Sequence, residues 1–293
     1  MSDSVQFRWL GVAGIELAVN DRVLAVDPFF TRPPFRRMWF GRAHPNRSLI
    51  AEKIQRCHFI LVTHPHWDHI MDVPDVARNT GATVFGSPNA CQLASALGVP
   101  DKQIHPIALG DTLSLDEFEI EVLPAQHLKT PIDGLINGPL RRDLRPPLRL
   151  FDYRMDACFS FRIRAGAYRV LHGEHPVPAD ILLAAPLQPR THFESLLRDV
   201  RPHVIIPIHW DDLFRPLSKP IRPMLKPPVW AIPPLQRMEP TEFKKMIEGT
   251  AAKTKVFIPE IFRSYSLDDV LRACQAMKQT NHPTNQLTNQ PSN

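Results

Sequence analysis

Apolar and polar residues alternate through Gln6-Phe7-Arg8-Trp9-Leu10 and again through Ile15-Glu16-Leu17-Ala18-Val19, with Gly11 to Gly14 between them. Period-two alternation predicts half-buried strands. Asn20-Asp21 marks a turn and residues 22–26 a third strand, so the chain opens as a meander ending at Asp27-Pro28. The pattern then changes. Residues 48–56 read as a short helix, and Phe59-Ile60-Leu61-Val62 as a buried strand, being short, apolar and partly β-branched. Asp72 and Pro74 start a helix that Gly81 stops, since proline is tolerated in the first turn. A strand over 82–85 and a helix over 89–97, closed by Gly98, follow. Further strands are predicted at 107–109, 111–115 and 118–123, the last alternating as Phe-Glu-Ile-Glu-Val-Leu.

A comparable order recurs after about residue 157. Strands are predicted over 158–164 and 167–171, a buried strand over 180–185, a helix over 191–200 and a strand over 204–208. A helix over 242–248, a strand over 255–258 and a capping box at Ser266-x-x-Asp269, opening a helix to about Lys278, complete the series. Strands alternating with helices in this way signal a layered α/β fold.

Three stretches break the periodicity. Residues 29–46 mix five aromatics with arginines, and an irregular segment of that length inside a compact domain is usually functional. It reads as a flap, with Trp39 and Phe40 offering apolar contact and Arg36, Arg37 and Arg42 offering charge, or else as a loop packed on the core. Residues 128–156 carry Arg141, Arg142, Arg145, Arg149 and Arg154, either a solvated basic loop or a second pocket wall whose guanidiniums hold phosphate. Residues 215–240 contain eight prolines and predict a stiff extended strap. The organisation expected is one domain over 1–278 and a disordered tail over 279–293, where asparagine, glutamine, threonine and proline show no apolar period.

Composition narrows the class. Hydrophobic residues at 43% and charged residues at 22% of 293 describe an ordinary globular chain. No run approaches the roughly 18 apolar residues of a membrane span, and the first residues carry no secretory pattern. Cys57, Cys91, Cys158 and Cys274 form no Cys-x-x-Cys pair, which argues against a disulfide framework and against thiolate zinc. A cytoplasmic location with free thiols is the expectation. The net charge of +5 favours an anionic partner.

The candidate chemistry lies in His64-Pro65-His66-Trp67-Asp68-His69, immediately after the buried strand at 59–62. Three imidazoles and a carboxylate leave the C-terminal end of a strand together, where loop side chains converge over a sheet. In an extended loop, residues two apart point the same way, so His64 and His66 can share one cation while Asp68 and His69 face a second. Imidazole nitrogen and carboxylate oxygen bind zinc at about 2.0–2.2 Å. Two cations roughly 3.5–4 Å apart can activate water and polarise a scissile bond. The alternative is a run of surface histidines with no shared role.

His64-x-His66-x-Asp68-His69 after an apolar strand resembles the signature of the metallo-β-lactamase superfamily, and the resemblance extends over roughly residues 5 to 260. Within it, the branches containing ascorbate-6-phosphate lactonase and N-acyl phosphatidylethanolamine phospholipase D are nearest in character. The resemblance implies a four-layer αβ/βα sandwich. It implies that His127, ending a strand, completes the first ligand set with His64 and His66, and that His209, ending Pro-Ile-His, joins Asp68 and His69 in the second. It places Asp27 beneath the metal loop as a supporting carboxylate, where the residues alone allow a turn cap. It also expects Gly-Asp after the strand at 167–171, with the aspartate bridging both metals. This chain has Leu171-His172-Gly173-Glu174-His175, so Glu174 stands at the bridging position, with His172 or His175 as substitutes and a one-metal site as the alternative.

The function expected is hydrolysis of an ester-type bond (phosphodiester, phospholipid or lactone) in a small anionic or phosphorylated substrate. Asp68 and His209 are read as catalytic as well as ligating, and Asp68 could orient or deprotonate water if one metal binds. One or two Zn2+ ions are expected, with Mn2+ or iron compatible with an all N/O set. The rival readings are a metal-bound ligand sensor without turnover and a nuclease. No added basic or stacking module supports nucleic acid as a partner. Peripheral membrane contact through Trp39, Phe40 and nearby basic residues is a further expectation.

Overall fold

The computed structural model describes residues 4–141, 143–226 and 236–276. The tail expected over 279–293, Arg142 and the middle of the proline-rich stretch lie outside them. Among the described residues, two seven-stranded mixed sheets form the frame. The first contains β1 (Val5–Gly11), β2 (Gly14–Val19), β3 (Arg22–Val26), β4 (Phe59–Leu61), β5 (Thr83–Gly86) and β6 (Ile104–Pro106), with β14 (Ser264–Ser266) added at its edge beside β1. The opening meander is antiparallel, whereas β3, β4, β5 and β6 run parallel. The second sheet contains β7 (Thr112–Leu115), β8 (Phe118–Pro124), β9 (Phe159–Ala165), β10 (Tyr168–His172), β11 (Ile181–Ala184), β12 (Val204–Pro207) and β13 (Lys255–Val256) in sequential order.

Helices cover the sheets. Those near the first are α1 (Phe35–Phe40), α2 (Arg47–Lys53), α3 (Trp67–Ile70), α4 (Val73–Thr80) and α5 (Pro88–Ala96), followed by the single turn α6 (Asp133–Ile136). Then come α7 (Arg190–Val200), α8 (Pro240–Thr250) and α9 (Leu267–Ala276). The second sheet shows why this is layered. Val170, Ile181, Leu183, Val204 and Ile206 join the large core shared with the first sheet. Their neighbours Leu171, Leu182, Ala184 and Ile205 instead pack with Phe193, Leu196 and Leu197 of α7 and Phe243 and Ile247 of α8. Successive strand residues face opposite sides, so a continuous apolar run requires cover on both. The α/β sandwich expected from the sequence is therefore present. No described helix is long and apolar enough to cross a membrane.

Four local expectations change. The fourth parallel strand lies at Ile104–Pro106 rather than 107–109, and Ser264–Ser266 adds a strand where the pattern predicts none. The metal loop is not extended throughout: His66 caps a short helix beginning at Trp67, so His64 and His66 precede the turn while Asp68 and His69 lie within it. Asp72 precedes α4 but its side chain caps nothing. Its Oδ2 instead accepts the amides of Phe30 and Thr31 at 2.7 and 2.6 Å, tying down the base of the flap.

Candidate metal centre

Both sheets end their site-bearing strands at one edge. β4 delivers the 64–69 segment from the middle of the first sheet, and β8 and β12 deliver His127 and His209 from the second. Phe159 N donates to Thr63 O at 2.9 Å, joining the metal loop directly to the second sheet.

The structure brings six of the seven expected residues into two triads. His64, His66 and His127 form one, and Asp68, His69 and His209 the other; within each, one donor atom per residue lies within 4.8 Å of the others. The triads adjoin, with the His64 and His69 ring centroids 3.9 Å apart. His64, His66, Asp68 and His69 are buried.

These residues fit a cation. Asp68 Oδ2 is 3.5 Å from His69 Nε2 and 3.3 Å from His209 Nε2. That is long for charged hydrogen bonds, but two ligands of one tetrahedral ion with 2.0–2.2 Å bonds stand about 3.3–3.5 Å apart. The buried Nε2 of His64 and Nδ1 of His127 have no hydrogen-bond partner. A buried polar atom left unpaired is costly unless something outside the chain uses it.

Protonation agrees. Burial holds His64 and His66 below the usual imidazole range, His64 further by its histidine neighbours, and pushes His127 down to about 4. Neutral rings with free lone pairs are the form a cation requires. Burial opposes the charge on Asp68, but His69 and His209 outweigh it and hold the carboxyl well below the ordinary range. It is a carboxylate at any physiological pH.

Supporting bonds orient the rings. Asp27 is fully buried; its Oδ2 lies 2.6 Å from His69 Nδ1 and accepts from Thr63 Oγ1, and its Oδ1 accepts Thr63 N at 2.8 Å. A proton on His69 Nδ1 leaves Nε2 as the lone-pair nitrogen facing Asp68. The supporting role the resemblance implied for Asp27 is thus met by geometry. His66 Nε2 lies 3.3 Å from Ile136 O and from Asn137 Oδ1, which frees Nδ1 in the same way.

Glu174 is not in either triad. Its Oε2 is 2.8 Å from His192 Nε2, at the start of α7, and it takes a further bond from the Ala185 backbone. Gly173 explains the geometry: at φ +109° a side chain there would bring Cβ within 2.3 Å of Ser160 Oγ, so the strand end turns sharply and carries Glu174 aside. The substitutes are engaged elsewhere. His172 Nε2 donates to Ala13 O at 2.8 Å and His175 Nδ1 lies 3.1 Å from Pro124 O. Glu174→Gln is therefore expected to leave metal content per chain unchanged; a lost equivalent by elemental analysis would return Glu174 to the ligand set.

Sequence reasoning missed the frame behind His209. His209 has φ +56° and Val12 φ +49°, left-handed conformations that β-branched valine in particular rarely adopts. The two are locked together: His209 N donates to Val12 O at 2.7 Å and Val12 N to Asp211 Oδ1 at 2.9 Å. Asp211 Oδ2 receives Arg32 Nη2 at 2.8 Å, both side chains almost wholly buried. The proline-rich stretch begins behind this, with Asp211 paired to Pro223 and Met224 N donating to Trp210 O. No local motif marks Arg32 or Asp211, whose pairing spans 179 residues.

The flap bears partly on the site. Phe29 meets Trp67 edge-on at 5.5 Å, Trp67 stacks on Phe214 at 5.5 Å, and Phe214 meets Phe35 at 5.2 Å. Trp39 closes against Phe151. Phe40 instead points outward, 85% exposed, and offers the site nothing.

Comparisons with known proteins bear on the family and the fold. Residues 22–173 match the model of the beta-lactamase superfamily domain. A UPF0173 metal-dependent hydrolase of Pyrobaculum arsenaticum is 32% identical over 42% of this chain and 51% of its own length. This chain thus spans about half the length of the Pyrobaculum relatives it matches. A namesake from Symbiobacterium thermophilum is 28% identical over 70% of this chain and 84% of its own. Igni18, a metallo hydrolase from Ignicoccus hospitalis, shares the fold at a TM-score of 0.58 and 18% identity, over 90% of this chain and 98% of its own. With more than half its length matched by the family model, and the motif seated at the joint edge of two mixed sheets, the chain belongs to the beta-lactamase superfamily.

Proposed function

We propose that the chain is a metal-dependent hydrolase that cleaves an ester-type bond in a small anionic substrate. The observation that carries this is the pair of adjoining triads, His64/His66/His127 and Asp68/His69/His209. A divalent cation there, zinc in the first instance and manganese or iron on the same N/O donors, supplies a Lewis acid and an activated water near neutral pH. The chain's own residues do the rest. Asp27 and Thr63 fix the His69 ring and Asn137 fixes His66, so the donor atoms are aligned before anything binds. Asp68, held as a carboxylate, orients a water by accepting its hydrogen; so low a pKa makes it a weak base. His127 and His209, only partly buried, mark the side from which substrate enters. The names of the relatives support the reaction class, Phe214 stacked on Trp67 beside the triads supports a substrate with an apolar part, and the net charge of +5 supports an anionic one.

The test is metal content by elemental analysis beside turnover of a generic phosphodiester and a simple lactone. We expect bound metal, loss of turnover with a chelator, and recovery on adding Zn2+ or Mn2+. A protein that retains no metal, or turnover indifferent to chelation, would sink the proposal.

A further inference from the structure

The surface beside the metal centre carries an unusual combination. Phe40 is 85% and Phe35 51% exposed, both on α1, and Arg36, Arg37, Arg42, Arg145 and Arg149 around them are exposed as well. The two segments form one face. Arg42 Nη1 donates to Arg145 O at 2.7 Å and also to Pro147 O, Ala43 N donates to Leu148 O at 3.3 Å, and Trp39 packs on Phe151 beneath. Positive charge is in excess there. Among the described residues, none of those five guanidiniums has a carboxylate within 4.0 Å, although Asp152 Oδ2 accepts Arg149 N at 2.8 Å, whereas neighbouring Arg47 and Arg141 pair with Asp75 and Asp143.

We propose that α1, Arg42, Arg145 and Arg149 form a docking surface for an anionic lipid bilayer, with Phe40 entering the interface, Phe35 at its edge and the arginines on the lipid phosphates. Guanidiniums bind phosphate oxygens in pairs, and aromatic rings settle at the headgroup level. Shape separates this from other occupants. A side chain 85% exposed stands on a convex point, which suits insertion into a soft planar medium. Single-stranded nucleic acid is usually held in a groove with bases stacked on rings along it. A second copy of the chain would bring two cationic faces together, which like-charge repulsion opposes. Docking by this face would set the metal centre beside the headgroups, because Trp67, between His66 and Asp68, joins α1 through Phe214 and Phe35. The docking itself does not depend on metal or turnover.

The experiment is co-sedimentation of the full chain with vesicles of phosphatidylcholine alone and of phosphatidylcholine mixed with phosphatidylglycerol. We expect partition into the anionic vesicles only, weakening as salt is raised. Phe40→Ser and the double variant Arg36→Glu/Arg37→Glu should each reduce that partition by roughly tenfold or more, with melting temperatures unchanged because all three side chains are exposed. Wild-type protein that stays in the supernatant with anionic vesicles overturns the proposal. So does a Phe40→Ser variant that partitions like wild type while the arginine variant loses poly(U) binding in parallel, since the patch would then be a general polyanion surface.

Discussion

His64→Ala is expected to lose one metal equivalent and at least about 10³-fold of turnover, with the fold intact. His64 Nε2 is a buried nitrogen that nothing in the chain uses, and Nδ1 meets Thr63 Oγ1, which keeps its bond to Asp27 when the ring is gone, so alanine removes a ligand atom without orphaning a protein partner. What remains of the first triad is two neutral imidazoles, too few to hold a cation where three protein ligands are the rule. The cation's charge stabilisation is worth several kcal/mol, and each 1.36 kcal/mol is tenfold in rate, which sets the size of the loss. Stability should respond differently. Removing a buried imidazole opens a small space, but it also removes a group that burial and four neighbouring histidines already disfavour when charged, so the metal-free variant should melt no lower than metal-free wild type near pH 5. The sign follows from the depressed pKa. The unfolded ring protonates near 6.5 and the folded one does not, so His64 costs the native state stability as pH falls below that value. Elemental analysis, a turnover assay and melting of the stripped proteins at pH 7.5 and 5 measure the three parts. Full metal content with unchanged turnover would show that the first triad is not the working site.

What could be read from the sequence was whatever depends on local pattern. The meander, the strand feeding the metal loop and the helix stopped at Gly81, whose φ is +78°, all follow from short-range periodicity and punctuation. Four of the triad residues were legible because the 64–69 motif is compact, and His127 and His209 because the superfamily resemblance implies a histidine after each of those two strands. Glu174 shows where that reasoning stops. Its position in the chain is the expected one, yet the direction of its side chain is set by the Gly173 turn and by His192, a residue on another element. Phe40 was misplaced for a related reason. Which side of a six-residue helix faces the site is decided by Met38 entering the core and Trp39 resting on Phe151, contacts that composition cannot encode. Arg32 lay hidden in a stretch of arginines, and only its burial separates it from the solvated ones.

Arg32→Met should be among the most destabilising single changes, by about 3–5 kcal/mol, because it leaves the Asp211 carboxylate buried without its cation. The contrast with Arg164 and Glu119 makes the magnitude concrete. That pair is more than half exposed, where solvent and salt screen the attraction, so losing it should leave the melting temperature close to that of wild type. At roughly 2–4 °C per kcal/mol for a chain of this size, Arg32→Met lowers the melting temperature by about 10 °C. Adding Asp211→Asn should recover most of the loss, since the amide carries no charge and its oxygen can still accept from Val12 N. That bond matters beyond stability: Val12 O holds the His209 amide, so the pair braces the backbone that presents His209 to Asp68. The single variant should therefore hold the second triad's metal more weakly, by about 10–100-fold, while the His64/His66/His127 site is spared. Chelator competition alongside thermal melting separates the two effects. A melting temperature within a degree of wild type would remove the buried ion pair from the account, and equal weakening at both sites would show that the brace serves the fold in general rather than His209.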